Sequence, residues 1–208
     1  MRLKKNSNIG LYDSRFEKES CGLGFVAQIN KEPSHQNIKD ALKILCNMDH
    51  RGARGSEPNS GDGAGILTGM PHTFFAGIAK ECFRVELEGG EYAVGNIFLP
   101  NEEKERETCK KSFEEICSEN ELELIGWRNL PTDIKKADIG PSALKAMPKI
   151  EQVFLKDNSS YFNQEDFERR LYLTRKKASN HLRVNSKLDQ ADLFYICSLS
   201  SKTIVYKG

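Results

Sequence analysis

Three stretches of this 208-residue chain hold residue types that could do chemistry. Cys21 opens the run Cys21-Gly22-Leu23-Gly24, where a thiolate would be a strong nucleophile and the glycines would let backbone or ligand approach closely. His50-Arg51-Gly52 follows a helical pattern and supplies a cation that never loses its charge. Gly61-Asp62-Gly63-Ala64-Gly65 leads into an apolar strand pattern. Each stretch also has a plain structural reading. A cysteine ahead of a strand is usually a small apolar residue, and an arginine in a loop is usually solvated. The glycine-rich run lacks the Lys-Ser/Thr ending of a phosphate-binding loop and the spacing of a dinucleotide fingerprint. Its glycines, with Asp62, are read as shaping a turn. His50 lies four residues after Cys46 and could share a helix face with it, but two ligands are too few, and no metal is expected.

The elements that would position these residues follow from periodicity. Cys21 to Ile29 reads as a strand anchored by Phe25, Val26 and Ile29, and residues 37–48 as a helix with Ile38, Ala41, Leu42, Leu45 and Met48 on one face. A strand is expected near residues 65–68 and a buried one over Tyr92 to Leu99, ended by Pro100. Asn101 is placed to cap the next helix, with Glu102 and Glu103 in its first turn and Cys109, Phe113, Ile116 and Cys117 on its inner face. Glu121 to Trp127 alternates as a strand, and residues 128–148, with three prolines, read as a long loop. Ile150 to Lys156 is a further strand. Asn163 caps a basic helix whose Phe167, Leu171, Ala178 and Leu182 face inward, while the bases from Arg169 to Lys177 form a solvated face. The end reads as two strands joined near Ser200 and Ser201, stopping at Gly208 without a closing element, which points to a truncated domain.

Composition narrows the function classes. Thirty-one basic against thirty acidic residues leave a net charge of +1, so nothing in the charge favours nucleic acid or an anionic membrane. No apolar run approaches the ~20 residues of a membrane span, and the polar first 20 residues lack the apolar centre of a secretory signal, which points to the cytoplasm. The six cysteines, at 21, 46, 82, 109, 117 and 197, form no Cys-x-x-Cys pair, so neither zinc nor an iron–sulfur cluster is indicated. Most read as small buried thiols.

Three blocks together carry a resemblance: LYDSRFEKESCGLGFVAQI, NMDHRGARGSEPNSGDGAGILTGMP and the terminal YICSLSSKTIVYKG. In this order, across essentially the whole chain, they resemble the amino-terminal region of the large subunit of glutamate synthases, a class-II glutamine amidotransferase domain. The resemblance implies an α+β fold of the N-terminal-nucleophile hydrolase type, an αββα sandwich with two stacked β-sheets between helical layers, here incomplete. It implies that residues 1–20 are a leader and that residues 21–208 are the front of the amidotransferase domain, with Cys21 catalytic once it becomes the first residue. Physical chemistry gives that step a reason. A thiol of pKa about 8.5 needs a base, and a free α-amino group titrates near 7.7–8.0, whereas an amide at Ser20–Cys21 is not basic. Arg51, from the His-Arg-Gly block, is expected to support the substrate site.

The expected reaction is attack of Cys21 on the glutamine side-chain amide, release of ammonia for 2-oxoglutarate, and hydrolysis of a thioester. The family's oxyanion-binding Asn-Gly element and substrate-clamping Arg-Phe-Ser-Thr element do not occur in this chain. No cofactor is expected within it; FMN and an iron–sulfur cluster belong to other domains of the family. Expected partners are L-glutamine and the remaining synthase domains or a small reductase subunit. The alternatives are an inactive fragment or binding module with the same fold, and another class-II amidotransferase. In phosphoribosyl-transfer and asparagine-forming members the nucleophile follows the initiator Met directly, so the leader favours glutamate synthase.

Overall fold

The computed structural model describes residues 22–30, 32–52, 57–61, 63–185 and 187–208, with Arg51 and Asn185 described in their backbone alone. The chain forms two compact units, residues 1–54 and 55–208.

In the first unit, helix α1 (His35–Asn47) begins where the Ser34 side chain accepts a hydrogen bond from the Gln36 amide at 3.1 Å. It ends at Met48, whose amide turns back onto Ile44 and Leu45, and a 3-10 turn (Asp49–Arg51) follows. The strand expected over Cys21 to Ile29 is not seen: described residues 22–28 are irregular, and Leu23, Phe25 and Ile29 are 94%, 88% and 99% exposed. A strand needs a second strand to receive its backbone hydrogen bonds, and the described residues of this unit offer only a helix.

The second unit runs β1 (Gly65–Gly69), α2 (His72–Phe83), β2 (Tyr92–Leu99), α3 (Glu103–Glu119), β3 (Leu122–Asn129), α4 (Ile134–Ala137), α5 (Pro141–Ala146), β4 (Lys149–Asp157), α6 (Gln164–Ser179), β5 (Tyr195–Ser200) and β6 (Thr203–Lys207). Strands β3-β4-β2-β5 form an antiparallel sheet, and β1-β6 form a second antiparallel pair. This is the α+β arrangement of two antiparallel sheets that the sequence implies. Odd-numbered residues of β2 and β4, among them Ala93, Ile97, Val153 and Leu155, face a core with Phe113 of α3 and Phe167 of α6. Even-numbered Tyr92, Val94 and Phe154 face the opposite way, onto Ile204 of β6 and Phe75 and Ile78 of α2. Both faces of the four-stranded sheet are therefore covered, which explains why β2 is apolar on both faces apart from Asn96 instead of alternating. Truncating fully buried Phe113 or Phe167 to Ala would cost about 3–5 kcal/mol.

Four local expectations need correcting. Glu102, not Asn101, caps α3: its carboxylate accepts from the Glu105 amide at 2.6 Å, while Asn101 donates its side-chain amide to the Met147 carbonyl at 2.9 Å. Residues 128–148 are not a bare loop, because β3 runs to Asn129 and two short helices follow. Asp133 caps α4 and Pro141 starts α5, where its missing amide hydrogen costs nothing. The basic stretch of α6 is not wholly solvated: Arg170 is 5% exposed and ties Asp157 (2.7 Å), Asp166 (3.1 Å) and the Glu121 carbonyl (2.9 Å) together. An amphipathic pattern reports the side of a helix and not what a long guanidinium reaches. Finally, residues 72–83, for which no element was anticipated, form α2. No helix among the described residues is long and apolar enough to cross a membrane.

Candidate active site

Cys21 and Asp62 lie outside the described residues, and for Arg51 the backbone alone is described, closing the turn after α1. The geometry leading to Cys21 is clear in the first unit. A Cβ on Gly22 would stand 2.8 Å from Met48 Sδ, and one on Gly24 would collide with Ile44 Cγ2. The two glycines thus lie directly against the last turns of α1, and Gly22 meets the residue that precedes the turn carrying His50 and Arg51. The sequence linked these blocks by residue type; the structure joins the residues that flank them. His50 is exposed, its Nδ1 3.0 Å from the Asn47 carbonyl oxygen.

In the second unit the described residues on either side of Asp62 are fastened to the rest of the fold. Gly63 passes so near the end of β6 that a Cβ there would sit 2.5 Å from the Gly208 carbonyl oxygen, and Ala64 and Gly208 exchange backbone hydrogen bonds at 2.9 and 3.0 Å. Gly65 is similarly tight: a Cβ there would sit 3.0 Å from the Tyr206 carbonyl oxygen. At the other end Glu57 accepts from the Ser142 amide (3.2 Å) and the Ser142 and Ser60 hydroxyls (2.5 and 2.9 Å). The Ser142 hydroxyl, the Ser142 amide and the Ser60 hydroxyl hold the Glu57 carboxyl below the usual glutamate range. Asn59 adds a bond to Asp138 at 3.1 Å. Close approach, and not the positive φ that a turn would ask for, is the reason for glycine at 63 and 65.

One buried feature was not anticipated. Arg128, Gln152, Asn96 and Ser198 are cross-strand neighbours in β3, β4, β2 and β5, forming a single polar row across the sheet face that looks toward β6. Arg128 Nε donates to Gln152 Oε1 (2.7 Å), and Gln152 Nε2 donates to Asn96 Oδ1 (2.8 Å) and approaches the Tyr206 hydroxyl (3.3 Å). Asn96 Nδ2 donates to the Val205 carbonyl (2.7 Å), and Ser198 Oγ accepts from the Val205 amide (3.1 Å). Burial raises the Tyr206 phenol, opposed by the Gln152 bond and the Arg128 charge. The available signal was the presence of Asn96 and Gln152 inside otherwise apolar strands. Among the described residues no group of three or more His, Cys, Asp or Glu is placed to hold a metal.

Two sheets faced by helices, a cysteine leading into paired glycines, and a fastened glycine-rich loop invite comparison with known proteins. The profile of the family "Glutamine amidotransferases class-II" matches residues 21–208, and the chain belongs to this enzyme family. Among curated proteins it is 41% identical over 200 residues to the glutamate synthase (NADPH) large chain of Bacillus subtilis (strain 168), covering 96% of this chain and 12% of that protein. It is 42% identical over 212 residues to glutamate synthase (NADH) of Saccharomyces cerevisiae, covering 96% of this chain and 9% of that one. To the chloroplastic ferredoxin-dependent glutamate synthase of Oryza sativa subsp. japonica it is 38% identical over 192 residues, covering 92% and 12%. The chain thus spans about a tenth of the length of these relatives.

Proposed function

We propose that this chain is the glutaminase part of a glutamate synthase, hydrolysing the side-chain amide of L-glutamine through Cys21 and releasing ammonia for amination of 2-oxoglutarate. The observation that carries this reading is the family match, which runs from residue 21 and so includes the cysteine as its first residue. Similarity to three glutamate synthases over nearly the whole chain supports the same assignment.

On this reading residues 1–20 are removed, and the freed α-amino group of Cys21 takes the thiol proton, directly or through a water. The thiolate attacks the amide carbon; the C–N bond breaks, and nitrogen leaves as ammonia carrying that proton. Water then attacks the γ-glutamyl thioester, giving glutamate and the free thiol. The oxyanion needs fixed donors, each worth about 2.7–4 kcal/mol in kcat. Arg51 supports the substrate from the turn after α1. Gly22 and Gly24 serve by keeping the segment after the nucleophile close to that helix. FMN and an iron–sulfur cluster are assigned, on this reading, to other domains of the family. Those domains or a small reductase subunit are the partners, and a cytoplasmic setting fits the polar leader.

The test is ammonia release from glutamine by protein beginning at Cys21, wild type beside Cys21→Ala. Release that depends on Cys21 is expected; equal background from both would overturn the proposal.

A further inference from the structure

The polar row across the four-stranded sheet has a use that stability alone does not supply. Strand β6 pairs with β1 along one edge, Ile204 and Tyr206 standing opposite Thr68 and Ile66. Among the described residues its other edge has no third strand. In an antiparallel pair alternate residues turn their amide and carbonyl away from the partner, and on β6 those of Val205 point to this open edge. There Ser198 Oγ accepts from the Val205 amide at 3.1 Å, and Asn96 Nδ2 donates to the Val205 carbonyl oxygen at 2.7 Å. Two residues away, Ser200 Oγ accepts from the Thr203 amide at 3.2 Å. Side chains of the large sheet therefore stand in for the missing strand.

Asn96 and Ser198 are 2% and 6% exposed, in a face whose other members include Val94 and Phe154. Apolar side chains would cover that face as well. What the polar pair adds is register, because a one-residue slip of β6 would present the wrong backbone groups to both. Register matters at the end of the strand: Gly208 exchanges both backbone bonds with Ala64, and Gly63 and Gly65 lie within a Cβ's reach of Gly208 and Tyr206.

We infer that Asn96 and Ser198 are positioning residues for the glycine-rich stretch Gly63 to Gly65, acting through the register of β6. Asn96 fixes the Val205 carbonyl, Ser198 fixes the amide, and β6 transmits the placement to Ala64.

The test uses Ser198→Val beside Ser198→Thr in the 208-residue protein. The two replacements have the same shape and differ in the hydroxyl that receives the Val205 amide. Amide hydrogen exchange at Ala64, Val205 and Gly208 should be about tenfold faster in the Val variant than in the Thr variant, the worth of one lost buried bond, with α3 unchanged. Equal exchange in both variants, or acceleration spread evenly through α3, overturns the inference.

Discussion

Substituting Gly24 with Ala should slow the reaction of Cys21 far more than the same change at Gly22, although both glycines face α1. The difference lies in what each new methyl would meet. At Gly24 it collides with Ile44 Cγ2, a branch fixed at the Cβ of a residue in the body of the helix, so either the helix or the segment must shift. Overpacking of this kind costs about 1–3 kcal/mol, a reduction of roughly 5- to 150-fold in the close-packed arrangement at about 1.4 kcal/mol per tenfold. At Gly22 it meets Met48 Sδ at 2.8 Å, near the free end of a flexible side chain. Swinging that thioether aside costs about 0.5 kcal/mol, or roughly twofold. The assay is the pseudo-first-order rate at which a glutamine-mimicking electrophile modifies Cys21 in protein beginning at that residue, with the adduct located by peptide mass. Adding Ile44→Ala to Gly24→Ala removes the obstructing methyl and should recover most of the rate. Equal slowing by the two glycine variants, or no recovery in the double variant, would refute the proposed packing of this segment on α1.

Replacing Arg170 by Met should lower stability by about 3–5 kcal/mol in urea titration, since it leaves the nearly buried Asp157 carboxylate without its partner. The same pair sets a pH dependence. Burial raises the Asp157 carboxyl, but bonds from Ser159 and Arg170 outweigh it and hold the group below the usual aspartate range. A depressed folded-state value means stabilisation that is complete above the unfolded value of about 3.9 and lost as pH falls through the folded one. Wild type should therefore lose more stability than Asp157→Asn between pH 5 and pH 2, and parallel losses would contradict the assignment. Thiol reagents should modify exposed Cys46 and Cys82 in the native protein. Cys109, pushed up to about 11 by burial and then by the Glu105 charge, and Cys117, pushed higher by burial and then by Glu114, should react only after denaturation. Asn163→Ala removes the acceptor for the Glu165 and Asp166 amides and should cost about 1 kcal/mol in thermal or urea unfolding.

Local signals in the sequence located much of the fold. Tyr92 to Leu99 is apolar apart from Asn96 because it is covered on both faces, and Asn163 caps α6 because its short side chain reaches two free amides. Asn101 and Arg170 misled for a common reason: what a polar side chain bonds is decided by residues distant in sequence, Met147 for one and Asp157 for the other. The segment after Cys21 carries strand-forming residues, but pairing is a property of two strands, and its described neighbour is a helix. For the site, residue types picked out the cysteine and the two motif blocks, and the structure adds why Gly24, Gly63 and Gly65 cannot readily carry a side chain. The row from Arg128 to Ser198 was not legible as a unit, because its members are far apart in sequence and become neighbours only through strand register.

The most direct test of the central claim compares two proteins, one with residues 1–20 attached and one beginning at Cys21, each treated with a glutamine-mimicking electrophile and mapped by peptide mass. The account predicts a single adduct on Cys21 in the shortened protein and at most slow modification of that residue while Ser20 is still joined to it. Equal labelling of Cys21 in both proteins, or an adduct on Cys46 or Cys82 in its place, would contradict a nucleophile that depends on its own free amine.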